Sequence, residues 1–216
     1  MIVRRIARLG CAVAVVAATA LATTLPASAH TNTGGKEPGT SSLAALLAKD
    51  GSGFDKNWYD YDITDNAVAA VLAAKPNSAV AVLADGKTPV TAFLPNDRAF
   101  RRLASDLTGK SYKSESEVFT ALAGKLGIDT IESVLLYHVV PGATVNYRQA
   151  LRSDGAKLGT ALAGSTIQVK VSFCFFVSLK DADPDAQNAY VVQPNLNKGN
   201  LQIAHGISEV MRPVDL

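Results

Sequence analysis

The chain of 216 residues is predicted to fold as α+β, with a helical N-terminal half and a strand-rich C-terminal half. Three observations predict this. Before Val139 the apolar residues recur mostly at helical spacing; from Val139 onward they alternate at strand spacing; and the two regimes follow one another instead of interleaving as β/α units would. No internal repeat is visible.

The first residues are set apart from that domain. Arg4, Arg5 and Arg8 precede an apolar run over residues 11–25, and Ala27-Ser28-Ala29 supplies a small-x-small cleavage pattern. Residues 1–29 are therefore expected to be a signal peptide. The run is too short for a transmembrane helix, so no stable membrane insertion is expected. A lipid attached at Cys11 is excluded, because the thiol starts the apolar run and Arg8 stands where an aliphatic residue would be needed. Export with cleavage after Ala29 leaves His30 first, and HTNTGGKEPGT (residues 30–40) reads as a disordered, polar, Gly/Pro-rich leader. Residues 41–216 form a single domain. Removing three of the 21 bases and no acid leaves 18 against 19, a charge of −1. That balance argues against a nucleic-acid partner.

Each element has its local reason. Ser41 or Ser42 caps a short helix in SLAALLAKD, and TDNAVAAVLAAK (residues 64–75) is a helix capped by Thr64 or Asp65 and stopped before Pro76. Between them FDKNWYDYD (residues 54–62) mixes four aromatic residues with Asp55, Asp60 and Asp62. SAVAVLADG is apolar but of open type. PVTAFLP (residues 89–95) reads as a strand, and NDRAFRRLASDLTG as a helix capped by Asn96 or Asp97 with Phe100, Leu103 and Leu107 inward. Two further helical segments, residues 114–127 and 129–138, begin with acidic residues, which favour a helix N-terminus. STIQVKVS alternates as a strand should, FCFFVSL reads as a continuous buried strand, and AYVVQP, GNLQIAHG and ISEVMRP follow as strands.

Three of these stretches, in order, resemble the fasciclin domain family. TAFLPNDRAF matches its first box, T-x-F-x-P-x-[ND]-x-A-F, through Thr91, Phe93, Pro95, Asp97 and Phe100. LLYHVVPG resembles the family's Tyr-His segment, and AHGISEVMRP its closing box through His205 and Pro213. The departures are Asn96 for a small hydroxyl residue, Gly206 for a β-branched one, Ser208 for an acid, and an Asn-Gly displaced to residues 197–199. The resemblance implies a compact wedge of β-strands covered by helices, in a secreted bacterial member. It also implies adhesion or recognition without catalysis, acting outside the cell or at the cell wall. In some animal members the Tyr-His neighbourhood binds receptors, which points at Tyr137 and His138.

The chemistry-bearing residues are read as follows. His138 lies in an apolar run, and a buried neutral imidazole there can donate from one nitrogen and accept at the other, pinning two loops; His205 is read alike. Trp58, Tyr59 and Tyr61 could stack on sugars with Asp60 and Asp62 bonding hydroxyls, or could cover the edge of the core. Asp181, Asp183 and Asp185 alternate as in a calcium loop, but Ala186 and Val192 stand where an EF-hand needs Gly and Glu, so a solvated loop is expected. Arg98, Arg101, Arg102, Lys110 and Lys113 read as a solvated face. Cys174, the one cysteine beyond the signal segment, reads as a small core residue, with an intermolecular bridge the alternative. No G-x-S-x-G or H-E-x-x-H motif and no local Cys-His pair is present, so no enzyme, cofactor or metal is expected. The expected partner is a cell-surface or cell-wall protein or polysaccharide, bound by a monomer, although Arg-Gly-Asp is absent. The alternatives are a small-molecule or lipid carrier with a cleft between helices and sheet, and a copper enzyme using the amine and imidazole of His30.

Overall fold

The structure, a computed structural model, describes residues 37–51 and 53–216. The expected signal peptide, most of the expected leader and His30 lie outside the described residues. The last residues of the stretch expected to be disordered are instead tied down: Gly39 bridges Asn200, donating to the Gly199 carbonyl (2.8 Å) and accepting from Leu201 N–H (2.9 Å).

Helices α1 (Leu43–Leu47), α2 (Asp62–Ala74), α3 (Asp97–Thr108) and α4 (Glu115–Tyr137) dominate the first part, with a 3-10 helix at Ala79–Ala84. A seven-stranded sheet contains β1 (Val90–Pro95), β2 (Val139–Pro141), β3 (Lys157–Gly159), β4 (Thr166–Ser172), β5 (Phe176–Lys180), β6 (Ala189–Leu196) and β7 (Gln202–Ile207). A one-turn helix α5 (Tyr147–Ala150) lies between β2 and β3. The strand order is β2-β1-β7-β6-β5-β4-β3, with only β1 and β7 parallel. The α+β class with a helical first half and a strand-rich second half is what the sequence pattern predicts.

β1 is the keystone of the helical side. All six of its residues are buried, which explains its continuous apolar run in place of alternation. Asn96 then caps α3, its Oδ1 accepting from Ala99 N–H (3.0 Å), and Gly109, with φ of 67°, ends the helix in the left-handed conformation. α4 is two helices joined at Gly127 (φ 72°, ψ 166°), as the two separate sequence segments anticipate, and Ser114 and Glu117 form a capping box at its start.

Four expectations need correction. First, α2 is not capped by Thr64 or Asp65: its Asp62 and Ile63 N–H groups donate to the Asp97 carboxylate at 3.2 and 2.9 Å, so the cap arrives from the next helix. Second, FCFFVSL is not one strand. Phe173 and Cys174 take positive φ (52° and 64°) in a hairpin turn between β4 and β5, leaving Phe173 82 % exposed. Cys174 is therefore exposed and not a core residue. Third, ISEVMRP leaves the sheet after Ile207, because consecutive Val210 and Met211 both face inward, which a strand's alternation forbids. Fourth, the acidic loop is not wholly solvated: Asp183 is buried and ion-paired with Arg212 (3.3 Å).

Candidate functional site

The two histidines read from the sequence are structural in their geometry. α4 ends at Tyr137 and His138 follows as its C-cap. Nδ1 of His138 donates to the Val134 carbonyl (2.7 Å), and Nε2 accepts from Met211 N–H (3.0 Å), so one ring ties the helix end to the C-terminal segment. Burial lowers its pKa to about 4 against the opposing Val134 bond, so the ring is neutral at pH 7. His205 uses the other tautomer: Nε2 donates to the Val145 carbonyl (2.9 Å) and Nδ1 accepts from Asn195 N–H (3.3 Å). Burial lowers its pKa too. Phe93 stacks on the His205 ring at 5.9 Å, and the Thr91 hydroxyl donates to the Ala143 carbonyl while accepting from Val145 N–H, both at 2.8 Å. Pro95 offers its carbonyl to the Thr64 hydroxyl (3.0 Å), Phe100 is buried among the helices, and Pro213 is half-buried beyond the last strand.

That arrangement corrects one site expectation. Tyr137 is 0 % exposed, with its hydroxyl on the Thr166 carbonyl (3.1 Å), and His138 is buried beside it. Neither side chain is available to a partner at the surface.

The FDKNWYDYD segment behaves differently. It crosses the N-termini of α3 and α4, where Asp97 and Arg98 N–H groups donate to the Asp60 and Trp58 carbonyls (3.2 and 2.9 Å) and Asp55 N–H donates to Glu115 Oε2 (2.7 Å). This clamp holds Tyr59 outward, 64 % exposed. The Arg98 guanidinium lies 5.9 Å from the Tyr59 ring and donates to its hydroxyl (3.3 Å), while Arg101 stacks 4.3 Å over Trp58. Arg101 also lines an open polar groove of about 600 Å³, with Arg102, Asp106, Asp185, Glu209 and Arg212 on its walls. Arg98 and Arg102 are exposed, as a solvated face requires, and the three arginines also meet rings and carboxylates, Arg102 pairing with Glu209. Tyr61 is half-buried, and its hydroxyl donates to Gln193 Oε1 (2.7 Å). Burial, then Asp97 and Asp60, push its phenol well above the usual range.

Beneath the same segment lies a cluster of carboxylates. Asp60, Asp62, Asp97 and Glu115 are all buried, and Asp55 stands at the exposed edge. Ligand oxygens of Asp55, Asp60 and Glu115 lie within 4.8 Å of one another, as do those of Asp60, Asp62 and Asp97. Both Asp60 oxygens and Glu115 Oε1 have no hydrogen-bond partner when the carboxyls are ionised. Burial raises Asp97 well above the carboxylate range, helped by the Asp60 carboxyl and opposed by Ile63 N–H. Burial raises Glu115 to about 7, with Asp60, Asp55 and Asp62 adding to the rise and Asp55 N–H opposing it. These are the residues that could hold a metal ion.

A model of the fasciclin domain matches residues 65–213, more than half of the chain. The chain belongs to the fasciclin domain family. Among solved structures it is similar to a FAS1 domain pair from the insect cell adhesion molecule fasciclin I, at 15 % identity and a TM-score of 0.49. The match covers 70 % of this chain and 47 % of that one, so the chain spans about half its length. No protein of curated function matches.

Membership makes the departures from the family boxes informative. In this fasciclin domain a Cβ at Gly206 would lie 2.0 Å from the Tyr61 hydroxyl. The Tyr61 ring fills the space beside Gly206, which joins the FDKNWYDYD segment to β7. Three apolar pockets, one between α2, α3, α4 and β1, one on the sheet beside α5 and one among the helices, hold only about 20, 50 and 30 Å³. A carrier's cleft would need about 300 Å³ or more, several times what any of these three holds. No helix among the described residues is long and apolar enough to cross a membrane.

Sequence reasoning missed Glu115 and the second role of Asp97. In the sequence each is a helix-start acid, and nothing local says that both point at Asp60. The available signal was that two helices open with an acid and a third acidic run lies among aromatics.

Proposed function

We propose that this fasciclin domain is a secreted, non-catalytic recognition module that binds a cell-surface or cell-wall protein or polysaccharide through Tyr59, Trp58, Arg98 and Arg101 beside the open groove. The observation that carries the reading is Tyr59: a large ring, mostly exposed, backed by a guanidinium and held on a bonded segment. Rings with polar tips give much contact area at little entropic cost, and arginine stacking holds them in place before binding. The groove adds hydrogen-bonding groups of both signs, which suits hydroxyl-rich or mixed polar surfaces. Family membership supports adhesion over catalysis.

The test is binding of the protein to isolated cell-wall and surface fractions, parent against Tyr59→Ser. The substitution is expected to weaken attachment about tenfold or more, as loss of a central aromatic anchor does, without loss of fold. Unchanged binding by Tyr59→Ser would move the surface elsewhere. Export is tested separately by sequencing the N-terminus of the secreted protein, which is expected to begin His30-Thr31.

A further inference from the structure

We infer that Asp55, Asp60 and Glu115 form a calcium site that fastens the aromatic segment to the start of α4.

The argument begins with oxygens that lack partners. Asp60 is 8 % exposed and Glu115 0 %, yet three of their four carboxylate oxygens meet no N–H or O–H donor when the cluster is ionised; the Asp97 carboxyl can share a proton with Asp60, but nothing does so for Glu115 Oε1. The fourth, Glu115 Oε2, takes Asp55 N–H and so turns Oε1 toward Asp60 and Asp55. α3 and α4 start at Asp97 and Glu115, and their N-terminal dipoles offset part of the negative charge. That is not enough, because no N–H from either helix reaches the three orphaned oxygens. The charged side chains acting on Glu115 are all carboxylates, Asp60, Asp55 and Asp62. Ionised carboxylates packed this closely need a counter-charge, and an all-oxygen set selects a hard cation.

Geometry favours calcium. Ligands at about 2.3–2.6 Å from a shared ion lie no more than about 5 Å apart, and the ligand oxygens of Asp55, Asp60 and Glu115 all lie within 4.8 Å of one another. Three carboxylates supply three to six of calcium's six to eight oxygens, and the exposed side of Asp55 leaves room for water to complete the shell. Calcium tolerates such an irregular set, whereas magnesium demands a near-ideal octahedron. The ion would hold the two ends of residues 55–60 against one helix, directly under Tyr59.

Thermal unfolding of the full chain in EDTA and in millimolar calcium tests the site, with terbium luminescence excited through Trp58 as a second readout. At calcium tenfold above its dissociation constant, the melting temperature is expected to rise by about 3–6 °C. Asp60→Asn and Glu115→Gln each keep the side-chain shape, and both are expected to abolish the rise and the luminescence; Asp185→Asn, in the other acidic loop, is expected to preserve them. No calcium response in the parent overturns the proposal, as does a response lost in Asp185→Asn but kept in Asp60→Asn. An equal response to magnesium overturns the choice of calcium. None of these measurements involves the cell-surface partner, so the calcium site and the Tyr59 surface stand or fall separately.

Discussion

His138 and Asp60 are both polar, both buried and both next to the start or end of a helix, but the fold serves them differently. Each nitrogen of His138 has a backbone partner, and so does each nitrogen of His205. Neither oxygen of Asp60 has one. A buried polar group that is left unsatisfied costs about 1–3 kcal/mol. The histidines avoid that cost within the chain; the carboxylates require something from outside it, a proton or a cation. Satisfaction of the bonds, more than residue type or burial, separates a structural polar group from one that answers to its surroundings.

The largest test of the contrast is pH. The His138 ring titrates at about 4 in the fold and about 6.5 when unfolded. Between those values the unfolded chain binds the extra proton, so stability falls as pH drops from about 6.5 to 4. A shift of that size corresponds to about 3 kcal/mol. Chemical denaturation at pH 7 and pH 4 should show this loss in the parent, and much less of it in His138→Ala. An equal loss in both proteins would mean that the latch is not the acid-sensitive element.

At neutral pH, His138→Ala is expected to cost about 1–3 kcal/mol in urea unfolding, because Met211 N–H and the Val134 carbonyl lose their partner. Asp60→Asn in EDTA is expected to go the other way, with stability unchanged or raised, since it removes charge from the cluster. If both substitutions destabilise equally, the contrast fails.

Gly206→Ala is expected to cost about 1–3 kcal/mol through its collision with the Tyr61 hydroxyl. The same change made in a Tyr61→Phe background should cost less, and a double-mutant cycle measures the difference. The smallest effect belongs to the hairpin tip: Phe173→Ser is expected to alter stability by no more than about 0.5 kcal/mol, because its ring is mostly in solvent.

The sequence by itself determined the elements whose causes are local. Helical and strand periodicities set the α+β class; Asn96 and Ser114 set two helix starts; and three short boxes identified the family over nearly the whole domain. The roles of His138 and His205 could be anticipated because an imidazole in an apolar run has few stable fates. Other features depend on partners distant in the chain, and only the tertiary structure decided them. The cap of α2 comes from Asp97, 35 residues away from Asp62. FCFFVSL looks like a buried strand because apolar content carries no sign of a turn, and the pairing of β4 with β5 places the bend at Phe173 and Cys174. Tyr61 and Gly206 are two unremarkable residues until they meet across the sheet. Asp60, Asp97 and Glu115 are ordinary surface and helix-start acids in sequence, and become a buried, charge-crowded cluster, with Asp55 at its exposed edge, only because α3 and α4 begin close together in space. Periodicity and capping act within a few residues, whereas burial and charge density arise from the packing of whole elements.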